Sequence, residues 1–370
     1  MKRRDFIIGA AGMTAAAALG GAWFVNRPEF VAKLDGERLA RILASPNFVD
    51  GKFQCLEPVE NIIENDESRI SAWAKFLFGD KSHLQPKEPM VSQRTEFAAL
   101  GGEDAIIWMG HSSFYIQAGG KKILTDPVFS SYASPLFFIN KAFRGSNVYT
   151  AGDILDIDAL IISHDHWDHL DYPTILAIKD KVKSVVCPLG VGGYLENWGY
   201  DAKIINEGDW FSEVNLGEDF SISILPSQHF SGRFLTPNKT LWASFAIKCG
   251  RRQIYFSGDG GYGAHFKKIG REFGGFDAAL MENGQYNKSW HRIHLMPNET
   301  AQAAEDLNAK AVIPAHSGKF ALARHAWDEP YRALCKESEK RSYKLLTPRI
   351  GEAVYIGKDQ QLTKWWEEMA

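Results

Sequence analysis

Six consecutive residues, His164-Asp165-His166-Trp167-Asp168-His169, constrain this 370-residue chain more than any other feature. They follow directly on the apolar run Ala159-Leu160-Ile161-Ile162, which reads as a buried strand. In an extended segment alternate side chains share a side, so His164 and His166 can grip one ion. The chain then turns, and Asp168 and His169 can reach a second ion nearby. Three imidazoles and a carboxylate left unpaired in a core would be costly, and a metal offsets that cost. Asp165 precedes His166 and points away; it takes no metal role.

Other metal-competent residues stand just beyond other apolar runs. His229 follows Ile222 to Leu225, Asp259 follows Ile254 to Phe256 within Ser257-Gly258-Asp259-Gly260, and His316 follows Val312-Ile313-Pro314. A lone histidine in any one of these places is more often structural. Their shared placement at strand ends, where loops build active sites, makes them a set. Further strand-like runs are Ile106-Ile107-Trp108, Phe114-Tyr115-Ile116, Lys122-Ile123-Leu124, Ser184-Val185-Val186-Cys187, Gln253-Ile254-Tyr255-Phe256 and Ala311-Val312-Ile313. Helical stretches such as Thr174 to Lys181 and Thr300 to Leu307 fall between them. Two clusters of strands with helices between predict two sheets with helices outside.

The longer strings carry a resemblance. They are Trp108-Met109-Gly110-His111-Ser112-Ser113, Leu124-Thr125-Asp126-Pro127-Val128-Phe129, His164 through Tyr172, Gln228-His229-Phe230-Ser231-Gly232-Arg233 and Asn238-Lys239-Thr240-Leu241-Trp242-Ala243-Ser244. The chain from Ile106 to Glu352 resembles the metallo-β-lactamase superfamily. Within it, the strings are most similar to the N-acyl-phosphatidylethanolamine-hydrolysing phospholipase D group and its bacterial relatives. The resemblance implies an α/β, four-layer αβ/βα sandwich with an N-terminal extension. It also implies two divalent metal ions, usually zinc, although His and carboxylate sites also accept iron or manganese.

Position by position, it implies that His164, His166 and His229 hold the first ion. Asp168, His169 and His316 would hold the second, and Asp259 would bridge. Zinc-dependent β-lactamases often have Cys at the bridging position, so Asp259 suits the hydrolase and phosphodiesterase branches. Two such ions lower the pKa of a shared water and clamp the oxygens of an in-line displacement. The implied reaction is attack of a metal-bridging hydroxide on phosphorus or a carbonyl carbon. Asp168 and His294 are the candidate catalytic residues. The resemblance puts His294 beside the metals, contacting substrate or acting as an acid; otherwise it is a solvent-facing loop histidine ahead of the helix that starts near Pro297. Asp126 is expected to orient a ligand histidine. His111 reads equally as a support for a ligand or as a structural residue. His83, His265 and His325 read as surface residues, Cys187 and Cys249 as buried thiols, and Cys55 and Cys335 as free or bridged.

The loop after Asp126-Pro127 contains Leu136-Phe137-Phe138-Ile139. Such a run is either tucked under the extension or exposed to something greasy, and Phe137, Phe138 and Ile139 are the candidate substrate rim.

The chain opens Met1-Lys2-Arg3-Arg4-Asp5-Phe6-Ile7, and residues 7–25 carry no charge. This resembles a twin-arginine export signal, with a membrane anchor as the alternative. The expected organisation is a signal or anchor over residues 1–25, an extension over 26–94 and a catalytic domain over 95–370. The extension includes a helical pattern, Ile70, Trp73, Phe76 and Leu77. The expected place is the periplasm or the outer face of the inner membrane, with peripheral membrane contact. With 42 Lys+Arg against 45 Asp+Glu, no basic excess exists to bind nucleic acid. Any membrane contact must therefore use apolar surface. Four Cys exclude a disulfide scaffold.

The functional expectation is a phosphodiesterase of the phospholipase D type acting on a phospholipid. A lactonase or other ester hydrolase of the same fold is the second reading, and a non-enzymatic envelope protein with a metal-stabilised fold is the third. Dimers are common among the resembled proteins, so a homodimer is consistent with this assignment.

Overall fold

Successive residues of the buried strands face different neighbours, and that alternation sets the architecture. A computed structural model describes residues 24, 26–59, 81–233 and 237–369. Apart from Phe24, the export signal read over residues 1–25 lies outside the described residues. So does the helical pattern Ile70, Trp73, Phe76 and Leu77.

After a short hairpin, β1 (Phe48–Val49) and β2 (Lys52–Phe53), come β3 (Ala105–Trp108), β4 (Phe114–Ala118), β5 (Lys121–Thr125), β6 (Ala159–Ile161), β7 (Val185–Pro188) and β8 (Ile205–Gly208). The chain continues through β9 (Ser212–Gly217), β10 (Phe220–Leu225), β11 (Ser244–Cys249), β12 (Arg252–Phe256), β13 (Ala278–Glu282), β14 (Ala311–Ala315) and β15 (Lys344–Leu345), then returns in β16 (Ala353–Tyr355). The described helices are α1 (Gly36–Ala44), α2 (Tyr172–Ile178), α3 (Gly192–Asn197), α4 (His265–Phe273), α5 (Pro297–Asp306) and α6 (Glu329–Ser338).

Two seven-stranded sheets result, in the orders β16-β3-β4-β5-β6-β7-β8 and β15-β14-β13-β12-β11-β10-β9. In the first, pairing is antiparallel from β16 to β5 and parallel from β5 to β8. The second repeats the scheme, antiparallel from β9 to β12 and parallel from β12 to β15. Between the sheets lie Ile106, Trp108, Phe114, Ile116 and Ile161 from one side and Ile222, Ile224, Phe245, Phe256 and Leu280 from the other. Their sequence neighbours Ile107, Tyr115, Leu160 and Ile162 face outward, where the first sheet packs on α2 and α3 through Ile175, Ile178 and Leu195. Tyr255, Ala279 and Met281 face outward under α4 and α5, against Phe266, Ile269, Ala301 and Ala304. Each sheet is therefore apolar on both faces, and helices must cover the outer ones. This is the expected four-layer sandwich.

Some strands carried little signal. β9 has the burial alternation of an edge strand but the polar sequence Ser-Glu-Val-Asn-Leu-Gly. β8, Ile-Asn-Glu-Gly, is half-buried throughout. Two histidines expected at the surface are not there. His325 is half-buried and accepts the Gln285 amide at 2.8 Å through Nε2. His265 is half-buried with its ring 4.1 Å from that of Phe266. His83 is exposed. All four cysteines are free, with Cys187 and Cys249 buried.

Residues 26–59 run as a strap across the far edge of the first sheet. Lys33 donates its amide to Gly193 O at 3.0 Å. A Cβ on Gly193 would lie 2.6 Å from Lys33 O, so this approach requires glycine. Arg38 of α1 reaches Glu207 at 2.7 Å and Glu196 at 2.9 Å. The Trp198 indole donates to Pro28 O at 2.9 Å. At the other end of the chain, Trp365 and Trp366 are buried in a 3-10 helix, Trp365–Met369.

Candidate metal centre

β6 delivers the six-residue motif to the edge of the sandwich, and Asp126, the residue directly after neighbouring β5, supports it. Asp126 is fully buried. One carboxylate oxygen accepts the Ser163 amide at 2.8 Å; the other lies 2.7 Å from His169 Nδ1. That contact presents His169 Nε2 to the site. The loop after β10 brings His229, whose Nδ1 donates to Ile293 O at 2.9 Å. The turns after β12 and β14 bring Asp259 and His316.

The seven residues converge in two sets. His164 Nε2 and His166 Nδ1 are 2.8 Å apart, and His229 Nε2 is 3.2 Å from His166 Nδ1. Asp259 completes this set, its Oδ2 lying 3.9 Å from His164 Nε2 and 3.8 Å from His229 Nε2. The same oxygen is 3.2 Å from His169 Nε2 and 3.0 Å from His316 Nε2, which face Asp168 Oδ2 at 3.4 and 3.3 Å. One carboxylate oxygen thus stands between both sets. His111 joins the second set: it is fully buried, with Nε2 2.8 Å from Asp168 Oδ2. Its donor atom lies within 4.8 Å of those of Asp168, His169 and His316.

Asp259 Oδ1 and His169 Nε2 are buried without a hydrogen-bond partner among the described residues. Such orphans cost roughly 1–3 kcal/mol each unless a ligand satisfies them. Imidazole and carboxylate donors at this spacing fit divalent metal ions, so the residues present suit the group the fold implies. Backbone strain marks the same place, since His111, Asp126 and His316 all adopt positive φ, at 55°, 35° and 60°.

Electrostatics divides the histidines. Burial pushes His164, His166 and His229 below their usual pKa, and neighbouring histidines add to this for all three. Burial, reinforced by His316, takes His111 down to about 3. Burial also opposes charge on His169 and His316, but Asp259 and Asp168 outweigh it and raise both well above the usual range. The two carboxylates are held well below theirs, because His169 and its neighbours overcome the burial penalty. The first set is therefore ready as neutral ligands, while His169 and His316 must release protons to bind metal. Metal loading near pH 6–7 is expected to expel about one to two protons, so apparent affinity climbs about tenfold per pH unit for each proton. Calorimetry in buffers of different ionisation enthalpy measures this directly. A buffer-independent heat would contradict it.

His294 lies against both sets, with its ring 5.0 Å from His229 and 5.3 Å from His316. Its side chain is 14% exposed. Glu282, not singled out from the sequence, holds it. This fully buried carboxylate at the end of β13 pairs with His294 Nδ1, lies 3.3 Å from His316 Nδ1 and accepts the Gly260 amide at 2.7 Å. A charged residue closing the apolar run Ala278-Ala279-Leu280-Met281 was its available signal. Asp165 belongs to neither donor set and accepts from Gly232, Thr240 and Tyr194 at 2.7, 2.9 and 3.1 Å.

Phe137, Phe138 and Ile139 are 77, 67 and 39% exposed, and the two phenylalanine rings pack on each other at 5.3 Å. Half-buried Phe230 stands beside the first set, 4.5 Å from the His166 ring and 4.7 Å from His229.

Residues 121–317 match the family model described as "Beta-lactamase superfamily domain". An uncharacterized protein of Mycobacterium tuberculosis is 33% identical over 367 residues, covering 96% of this chain and 97% of its own. An N-acyl-phosphatidylethanolamine-hydrolyzing phospholipase D of Caenorhabditis elegans is 32% identical over 228 residues, covering 58% of this chain and 64% of its own. The outer membrane protein RomA of Klebsiella pneumoniae is 56% identical over 106 residues, which is 29% of this chain and 80% of RomA. Among solved structures, the metallo hydrolase Igni18 of Ignicoccus hospitalis shares the fold with a TM-score of 0.53 at 19% identity, covering 69% of this chain and 99% of its own.

Proposed function

The chain belongs to the metallo-β-lactamase superfamily and is a metal-dependent hydrolase, and on that premise we propose that it is a phosphodiesterase of the phospholipase D type acting on N-acyl-phosphatidylethanolamine-like lipids. The observation that carries this reading is Asp259 Oδ2, which stands between two donor sets. Two divalent ions, when bound, supply an activated water and Lewis-acid stabilisation of the oxygens around phosphorus.

The chain's own residues have the remaining work. Water oxygen bonds to phosphorus, the bond from phosphorus to the N-acylethanolamine oxygen breaks, and that oxygen needs a proton. His294 is the donor in this reading. Buried Glu282 fixes its Nδ1, so the ring is oriented before substrate arrives. Phe230 offers an apolar wall beside the His166 edge of the site. Exposed Phe137 and Phe138 supply an apolar tip for a lipid surface on a chain without a basic excess. An exported, envelope location is part of the proposal, supported by the Arg3-Arg4 start with its uncharged run and by the RomA similarity.

The test is a substrate panel on metal-loaded protein, with metal analysis of the same sample. N-acyl-phosphatidylethanolamine vesicles should yield phosphatidic acid and N-acylethanolamine, and a bis-aryl phosphodiester should also turn over. Phe137→Asp with Phe138→Asp should slow vesicle hydrolysis at least about tenfold and leave the soluble diester unaffected. Lactone turnover without phosphodiesterase activity would overturn the proposal. So would inertness on the whole panel with about two metals bound, which is the outcome expected of a binding protein.

A further inference from the structure

Arg233 has no part in the chemistry above, yet it is 1% exposed and lies four residues beyond His229. A guanidinium carries its N–H donors in a fixed planar fork. Here the fork is spread over three separate segments. Nε donates to Asp165 O at 2.6 Å, one terminal nitrogen donates to Leu170 O, and the other donates to Glu29 O at 2.9 Å. The first carbonyl lies inside the metal motif, the second belongs to the residue that follows it, and the third belongs to the N-terminal strap. The guanidinium also lies 4.1 Å from the centre of the Trp167 ring, inside the motif. The strap also touches this ring, where Phe30 meets Trp167 edge-on at 5.0 Å. Asp165 adds a second tie between the same loops, because its carboxylate accepts the Gly232 amide at 2.7 Å.

We propose that Arg233 is a positioning residue of the metal centre and that the strap is part of the same clamp. Together they hold the loop of His229 against the motif His164 to His169 in the geometry that two ions require. The extension is then a working wall of the site. Groups that orient metal ligands are worth about 10–100-fold in affinity when removed. Lysine cannot substitute, because one ammonium cannot reach three carbonyls fixed in a fork.

The test uses the full chain, with zinc as the probe in chelator competition and thermal unfolding of metal-free protein in parallel. Arg233→Lys should weaken zinc binding about 10–100-fold. Phe30→Ala, which leaves Arg233 in place, should weaken it in the same direction by about 3–10-fold. Arg252→Gln is the control. It breaks half-buried contacts to Asp104 at 2.6 Å and to Ile356 O at 3.0 Å, neither of which is a metal-site residue. It should lower the melting temperature and change zinc affinity by less than about twofold.

The proposal is overturned if Arg233→Lys and Phe30→Ala both bind zinc within about twofold of the parent. It is equally overturned if Arg252→Gln weakens zinc as much as they do, because affinity would then simply track stability. Should Arg233→Lys fail to fold, Phe30→Ala decides. The inference rests on the metal centre alone. Absence of phosphodiesterase activity would sink the substrate reading and leave this one standing.

Discussion

Asp259→Ala is expected to abolish turnover and to strip most of the bound metal. Its Oδ2 lies within 3.9 Å of four histidine nitrogens drawn from both donor sets. Alanine removes that oxygen and takes from His169 and His316 one of the two aspartates that offset their charge. The remaining ligands then hold like charges together in a buried space, so both sets weaken at once. The expected result is a fall in kcat/KM of at least about 10^3 and a drop from about two ions per chain to one or fewer. Asp259→Asn should be only slightly milder, since an amide keeps the shape but supplies no charge. The fold should survive, because the turn is built by its glycines. Gly258 sits at φ 54°, and a Cβ there would lie 2.7 Å from Ala243 O. Retention of a tenth of the parent activity with unchanged metal content would show that Asp259 is not the bridge.

The largest stability effect is expected far from the metals, at Trp365. This side chain is 0% exposed and sits in an aromatic cluster. Its ring centroid is 4.9 Å from Tyr331, 5.6 Å from Trp366 and 6.4 Å from Trp108. Its indole donates to Pro348 O at 3.1 Å. The cluster joins β3, α6 and the chain end, so Trp365→Ala opens a cavity where three elements meet. Large aromatic-to-alanine changes in cores cost about 3–5 kcal/mol, and the lost hydrogen bond adds about 1. Denaturant unfolding of metal-free protein should show a lowered midpoint by that amount, with the slope unchanged. A loss under about 1 kcal/mol would mean that the 3-10 helix is peripheral to the core.

The metal residues could be read from the sequence because charged and imidazole side chains stand out at the ends of apolar runs. The structure brings all seven together. The sandwich was legible for the same reason: β3, β4, β6, β7 and β12 alternate between two apolar environments and so appear as short apolar blocks. What escaped was tertiary. Glu282 is one carboxylate at the end of an alanine-rich strand, and nothing local says that it meets His294. Phe230 looked like one letter of a motif until its ring was found against two histidines. Arg233 read as part of a family string, while its partners lie 63, 68 and 204 residues away. Edge strands such as β9 and β15 are polar or short, so they do not stand out as apolar blocks.

The order of strands in the first sheet bears on how the protein is made. β3 ends the sheet only until β16 pairs with it, and β16 is residues 353–355. On a ribosome adding about 5–20 residues per second, β3 emerges some 10–50 s before its partner. For that interval Ala-Ile-Ile-Trp presents an unpaired, wholly apolar edge, an invitation to pair with another nascent chain. That edge belongs to the half of the sandwich that holds His164 to His169. Its safety depends on residues that the ribosome reaches long after β3.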